Sequence, residues 1–395
     1  MEKKEYKILI LVLSALSAIG PFSIDMYLPG FPSIASDFKT DIAKVGFSLS
    51  SFFVGIAVGQ IVYGPIMDRF GRKKPMIIGS IIYILAALGC ALSSSIYLLI
   101  GLRFLLALGA SGGMTGSRAV VFDLFRGSEA ARVLSTLMVV FGIAPVIAPT
   151  IGGIVVETLG WRYLFVILAL LATSITVAVA IYLRETKHMD ASFSLQPKYV
   201  FLEYLTVFKD RTFLKYTLIS AAGMAGFFSY ITCSAFVYTG LLGFTAAQFG
   251  WIYGINVIGL ISASQVNRIW LKKSTGKNIL IITTVTQFLG IWMLFLFVFT
   301  GFGGKSLIIG LIFFYLFCLG FISPNATSMA LQPFTRNTGS AVALIGFLQM
   351  VAAASISGLV SFLHNNTAIP MVLAMTICTT IGLLTLCWSK LKIAK

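Results

Sequence analysis

From Pro75 to Ser117 the chain carries a single charged residue, Arg103. As one helix this stretch would be roughly 65 Å long, at about 1.5 Å per residue. The hydrocarbon core of a bilayer is about 30 Å thick and takes about 20 helical residues. The stretch must therefore cross twice, and Ser93-Ser94-Ser95 is where it turns. The same yardstick finds twelve spans in all, near 8–28, 45–66, 75–93, 96–117, 133–156, 163–183, 213–240, 246–267, 279–300, 306–330, 339–363 and 367–388. Composition leaves no water-facing alternative. Of 395 residues, 58% are hydrophobic and 11% charged, against about 25% charged in soluble domains. A soluble enzyme is excluded. Nothing alternates with the dyad period of β-barrel strands, so the expected fold is an all-α polytopic membrane protein.

A net charge of +16 can mark a nucleic-acid binder. Here the cations sit in short clusters between apolar runs, which is how membrane orientation is written. With the N-terminus in the cytoplasm, twenty-four of the 29 basic residues fall on inner segments, and only Lys39, Lys44, Arg162 and Lys305 on outer ones. That bias places both termini inside and supports an even helix count. The first apolar run ends in Asp25-Met-Tyr-Leu-Pro rather than at a small-residue cleavage site, so the first helix is expected to be retained.

The longest loop follows the sixth span and holds Pro197 among mixed charges. It divides the chain into 1–184, a cytoplasmic linker at 185–212, and 213–395. A faint echo links the halves. Asp68-Arg69 and Gly71-Arg72 follow the second span, while Asn267-Arg268 and Gly276-Lys277 follow the eighth. Two related halves around a mid-membrane site are how many secondary transporters are built. Cys90, Cys233, Cys318, Cys378 and Cys387 lie in apolar runs without ligand spacing, and His188 and His364 fall in loops. Neither a disulfide framework, a metal site nor a catalytic histidine is expected. No phosphate-binding loop is present, so ATP is not the expected energy source within this chain.

A charge in a membrane span costs about 2.5–3.5 kcal/mol or more and marks function by default. Two residues qualify, Asp25 and Arg103. Asp25 lies between Pro21 and Pro29 in the outer half of the first span. Either it binds and releases a proton in a water-reaching cavity, or it is solvated near the interface or caps a backbone break. Arg103 keeps its charge. Either it tunes Asp25 from a shared cavity, or it anchors packing through backbone carbonyls. The loop Gly64-Pro-Ile-Met-Asp68-Arg69-Phe-Gly71-Arg72-Lys73-Lys74 is a tight turn between helices. Its acid suits a conformational latch, although a basic cluster alone is also a topology signal. In Gly142-Ile-Ala-Pro145-Val-Ile-Ala-Pro149-Thr-Ile-Gly152-Gly153 two prolines share one face of the fifth helix. That makes either a bending gate or a tightly packed helix. Asn256, Asn325 and Gln349 either orient a ligand or glue helices together.

The segment from Gly64 to Lys74 resembles the signature loop between helices 2 and 3 of the major facilitator superfamily. Arg103 with Gly109 and Gly113 resembles its fourth-helix motif. Gly142 to Gly153 is similar to its fifth-helix antiporter motif, with Ala144-Pro145 for the usual Gly-Pro. Ile24-Asp25-Met26-Tyr27-Leu28-Pro29, Ser117-Arg118-Ala119 with Asp123, Ser323-Pro324-Asn325-Ala326 and the run from Asn337 to Gln349 resemble the bicyclomycin and chloramphenicol resistance (Bcr/CflA) branch of twelve-helix drug:proton antiporters.

The resemblance implies two pseudo-symmetric six-helix bundles in a bacterial inner membrane, functional as a monomer. It implies export of a small, lipophilic molecule by alternating access, with protons as the coupling ion and no other cofactor. Asp25 would carry the proton and Arg103 couple it. Gly64, Asp68, Arg69, Gly71, Arg72 and Asp123 would form the inner latch, Asp68 bearing on the eleventh helix and Arg72 pairing with Asp123. Gly142, Pro145, Pro149, Gly152 and Gly153 would gate, and Tyr27, Asn256, Asn325 and Gln349 would line the cargo cavity. Some members carry a second acid earlier in the first helix. Residues 8 to 24 hold none here, which leaves one carboxylate for the proton. Two rivals stand: an exporter of a metabolite such as a siderophore, peptide or amino-acid derivative, and a proton-coupled importer.

Overall fold

A computed structural model describes residues 3–125, 127–187, 204–301, 304–334 and 338–391. His188, Pro197 and Asn337, named above, lie outside the described residues. The described residues form twelve long helices and no strand. They are α1 (Lys3–Asp25), α2 (Ile42–Phe70), α3 (Lys73–Ala91), α4 (Ile96–Leu124), α5 (Gly127–Thr158) and α6 (Arg162–Tyr182), then α7 (Arg211–Ala235), α8 (Ala246–Trp270), α9 (Gly276–Thr300), α10 (Lys305–Leu331), α11 (Thr338–Phe362) and α12 (Ile369–Leu391). Among the described residues, eleven spans are long and apolar enough to cross a membrane. In α5 the described apolar segment is the shorter Ile143–Thr158.

Chain chemistry sets the boundaries. Pro29 has no N–H to give the carbonyl four residues back, and its ring collides there. That carbonyl belongs to Asp25, and α1 ends at Asp25. The chain passes through a 3₁₀ turn at Leu28–Gly30 and restarts as a short helix at Phe31–Asp37, with Pro32 in its first turn. The reading that carried the first span to residue 28 overran this break. The triple serine is a turn, as expected. Ser93 Oγ donates to the Cys90 carbonyl at 2.7 Å, and Ser95 Oγ caps α4 by accepting from Leu98 N at 3.2 Å. A second correction concerns Gly64 to Phe70. This segment is not a loop but the last two turns of α2. The reversal needs only Gly71 and Arg72, because Gly71 adopts φ +86°, a conformation cheap for glycine alone.

The described chain separates into two compact units, Met1–Tyr199 and Val200–Lys395. In the first, α4 packs on α1, α2 and α3, α3 on α6, and α1 on α5 and α6. In the second, α10 packs on α7, α8 and α9, α9 on α12, and α7 on α11 and α12. Each of these pairings recurs six helices later. The echo read from two short turns is thus a repeat of the main packing scheme.

Gly152 of α5 lies so close against the Met26 carbonyl, just beyond α1, that a Cβ would overlap it. A Cβ on Gly64 would meet nothing within 4 Å. Gly152→Val is therefore expected to cost at least the ~1–3 kcal/mol typical of overpacking, while Gly64→Ala is neutral. Thermal unfolding of the two purified variants in detergent checks this; equal melting temperatures would contradict the close approach.

Candidate functional site

The end of α1 is where the two embedded charges converge. Arg103 stands two turns into α4 and is fully buried, with 0% of its surface exposed. Its Nη1 donates to the Ser23 carbonyl at 2.9 Å, in the last turn of α1. The closing carbonyls of a helix lack intrahelical partners and carry the negative end of its dipole, so a cation is welcome there. Three rings surround the rest of the guanidinium. Tyr27 and Phe52 lie 4.3 and 4.4 Å from its central carbon and Phe165 lies 5.9 Å away. Cation–π attraction offsets part of the desolvation cost. Arg103 Nε and Nη2 are buried with no acceptor among the described residues.

The cage is itself held by hydrogen bonds. Ser48 Oγ donates to the Val45 carbonyl at 2.6 Å, so the Tyr27 hydroxyl, 2.7 Å away, donates to Ser48. By the same logic Ser23 Oγ donates to Ile19 and Tyr83 donates to Ser23 at 2.6 Å. Both tyrosine hydroxyls are committed to serines, which leaves the Tyr27 ring face to the arginine. Asp25 is the last residue of α1, two beyond the carbonyl that receives Arg103, and is buried at 3% exposure. Gly152 presses on Met26, the next residue. Tyr27, assigned from sequence to a cargo cavity, lies instead inside the arginine cage with no exposed surface. Three separate sequence features, the first-helix acid, the fourth-helix arginine and the fifth-helix glycine face, thus meet on residues 23–27. Pro145 and Pro149 lie within the same continuous helix as Gly142 and Gly153.

A second cluster forms at the α2–α3 turn. Arg72 bridges two acids. Its Nε donates to Asp123 Oδ2 at 2.9 Å and its Nη1 to Asp68 Oδ1 at 3.0 Å. The pairing of Arg72 with Asp123 is the one the resemblance implies. Burial works against the Arg72 charge, but Asp123 first and then Asp68 hold its pKa above the ordinary guanidinium value. Arg69 leans over the neighbouring Phe70 ring, 5.6 Å from its centre, and takes no part in these ion pairs. Sequence reading missed Glu185 and Lys187, which enter this cluster from the chain beyond α6. Their only signal was proximity in sequence to a helix end, which does not say where the chain turns next.

The polar residues of the second unit do not form one group. Asn256 is fully buried and donates through Nδ2 to the hydroxyls of Tyr230 and Tyr238 at 3.0 and 3.2 Å. Tyr238 stands on a six-residue π-helical stretch, Phe236–Leu241, that continues α7. Gln349 donates to Ser220 Oγ at 2.7 Å. Asn325 is elsewhere, at the α8–α9 turn. It donates to Asn267 Oδ1 at 2.7 Å, and its carbonyl oxygen lies beside Gly276 at the start of α9. Asn325 therefore holds a turn, as glue, rather than sharing a pocket with Asn256. Among the described residues no group of three or more His, Cys, Asp or Glu side chains is placed to hold a metal.

A family model described as Major Facilitator Superfamily matches residues 13–358. The chain is 32% identical over 385 residues to the MFS-type transporter YdgK of Bacillus subtilis, covering 96% of this chain and 94% of the relative. It is 32% identical over 387 residues to a bicyclomycin resistance protein homolog of Haemophilus influenzae, covering 97% and 96% respectively. A crystal structure of a D-xylose-proton symporter superposes with a TM-score of 0.73 at 15% identity, over 96% of this chain and 97% of that one.

Taking a charge out of water costs several kcal/mol and two Arg103 donors have no acceptor among the described residues, which offsets the hydrogen bond to Ser23 that an apolar side chain gives up. Arg103→Met is accordingly expected to leave the melting temperature within about 5 °C of the parent or above it. A larger fall in a detergent melting assay would make the arginine chiefly a packing anchor.

Proposed function

We propose that this chain, which belongs to the major facilitator superfamily, is a proton-driven exporter of small lipophilic molecules, including antibiotics. It is a multi-pass bacterial membrane transporter, not an enzyme. In our reading it lies in the inner membrane with both termini cytoplasmic and works as a monomer. The observation that carries the proposal is the convergence of Asp25, Arg103 and Gly152 on one helix break. The name of the Haemophilus influenzae relative supports the choice of cargo.

The chemistry follows from the placement. Asp25 is an acid that can exist charged or neutral, two residues along the chain from the carbonyl that receives Arg103, whose guanidinium stays charged. When Asp25 is ionised, the end of α1 gains a negative charge. When it takes a proton, that charge is lost, while Arg103 keeps the Ser23 carbonyl and the rings. A segment whose packing energy changes by one buried charge is suited to a two-state element. Export then follows by alternating access. Cargo binds from the cytoplasm as Asp25 gives up its proton, the protein changes state, and a proton from the acidic side restores Asp25 as cargo leaves. A helix break beside Gly152, whose helix carries two prolines, is where such a change can bend. The latch at Asp68 and the Arg72–Asp123 pair would set which state is favoured at the inner surface.

Transport in inside-out vesicles, with an imposed pH gradient and a pH-sensitive dye, tests the reading. Cationic, neutral and anionic compounds are added in turn. Bicyclomycin-like and other antibiotics are expected to release protons from the parent vesicles, and Asp25→Asn is expected to abolish the response. Uphill export undiminished in Asp25→Asn would sink the proton assignment. A response to a metabolite extract but to no drug would keep the mechanism and move the cargo to the siderophore, peptide or amino-acid class. For Asp68→Asn, slowed turnover with unchanged cargo binding is expected. An equal loss of binding and transport would count against a latch.

A further inference from the structure

The chain leaving α6 returns to the α2–α3 turn and fastens there through three successive residues. The Glu185 carboxylate accepts from Arg72 N at 2.6 Å and from Lys73 N at 3.1 Å. These are orphan donors at the start of α3, where helix-end dipole and free N–H groups favour an anion. Thr186 Oγ1 donates to Asp123 Oδ2 at 2.9 Å. Lys187 Nζ pairs with Asp68 Oδ1 at 2.7 Å, the same oxygen that takes Arg72. From the other side, Lys73 Nζ donates to the Ala180 carbonyl of α6 at 2.7 Å. The fit is close. A Cβ on Gly71 would lie 2.8 Å from the Glu185 carboxylate and 2.9 Å from the Lys187 carbonyl. Gly71 is thus required twice, once for its positive φ and once for the chain that crosses it.

We propose that Glu185-Thr186-Lys187 is a strap that positions Asp68. It ties the chain that leaves α6 to the α2–α3 turn, and Lys187 neutralises the acid that the exporter reading uses as a latch. Three carboxylates, Asp68, Asp123 and Glu185, face two paired cations, Arg72 and Lys187. With both cations on one oxygen, Asp68 exerts little pull on any further positive group. Freeing it from Lys187 returns that pull. The strap and the latch therefore oppose each other, and Lys187 sets the balance. Thr186 and Glu185 hold the lysine in register. The effect on transport rate rests on the exporter reading; the existence of the strap does not.

Two measurements on the full chain in nanodiscs and vesicles separate these. In hydrogen exchange, Glu185→Ala is expected to speed exchange at the Arg72 and Lys73 amides by about tenfold, the effect of losing one charge-assisted bond. Unchanged exchange would overturn the strap, whatever the protein transports. In vesicle export, Lys187→Gln is expected to lower the maximal rate about two- to fivefold with unchanged KM. That range is what a half-exposed ion pair supports. Lys187→Arg is expected to restore the rate, and added salt to narrow the gap between parent and Lys187→Gln. Faster exchange in Glu185→Ala together with parent-like rates in Lys187→Gln would overturn the opposition to the latch. So would a loss confined to KM. If the parent itself exports no tested compound, the exporter reading falls, and the exchange result still decides the strap.

Discussion

The geometry of the first unit follows from one missing hydrogen bond. Pro29 cannot donate to the Asp25 carbonyl, so α1 stops there. A helix that stops inside an apolar environment leaves carbonyls in need of donors. Arg103 supplies one, to Ser23. The arginine in turn needs company for its desolvated charge, and Tyr27, Phe52 and Phe165 provide ring faces from three different elements. Tyr27 can turn its face inward because its hydroxyl is tied to Ser48. The break, the cation and the cage are mutually dependent: an unbroken helix would offer no carbonyl, and without the carbonyl the arginine would lack its one acceptor among the described residues. Asp25 closes α1 beside this arrangement and is buried at 3% exposure.

Much of this was legible in the sequence because a bilayer simplifies the code. Span lengths follow from thickness, and Ser93-Ser94-Ser95 turned because an uninterrupted 65 Å helix has nowhere to go. Asp25 and Arg103 stood out because charges in spans are costly. Other features were not legible. Gly64 to Phe70 reads as a loop by composition, yet the helix continues, since the basic residues lie past the apolar face and nothing before Gly71 forces a turn. Glu185 and Lys187 act through backbone amides and a carboxylate more than a hundred residues earlier, and such partners leave no local pattern. Tyr27 looked like a cavity residue because aromatic rings suit lipophilic cargo. Only the fold shows that its face is taken by an arginine. Asn325 and Asn256 look alike in a string, but α10 carries Asn325 to a turn and α8 carries Asn256 into a tyrosine cluster.

The two units share a packing scheme and differ in chemistry. At the α2–α3 turn the first unit joins Asp68, Arg72 and Asp123 by ion pairs. At the matching α8–α9 turn the second unit joins Asn267 and Asn325 by a neutral hydrogen bond. Asn267 falls where Asp68 would repeat, and Asn325 stands on α10 as Asp123 stands on α4. In the first unit the helix start accepts a carboxylate, Glu185; in the second an amide oxygen, that of Asn325, lies beside Gly276. An amide pair is nearly indifferent to salt, whereas a cluster of three acids and two bases responds to it. The same backbone architecture thus yields a fixed turn in one unit and an adjustable one in the other.

That asymmetry extends to the cores. The first unit buries an acid at a helix break and an arginine in a ring cage. The second buries hydroxyls and amides instead: Tyr230 and Tyr238 with Asn256, Thr232 with Ser357, Ser220 with Gln349. Neutral groups of this kind fix helices at modest cost and keep their state when a proton arrives. A repeat that carried ionisable groups in both halves would place two charge-sensitive breaks in one membrane, each with its own desolvation cost. Among the described residues the buried charges, Asp25 and Arg103, both belong to the first unit, so the core of the second carries no such cost. Under the exporter reading proposed above, one protonation at Asp25 would be the minimum change that a two-state device requires.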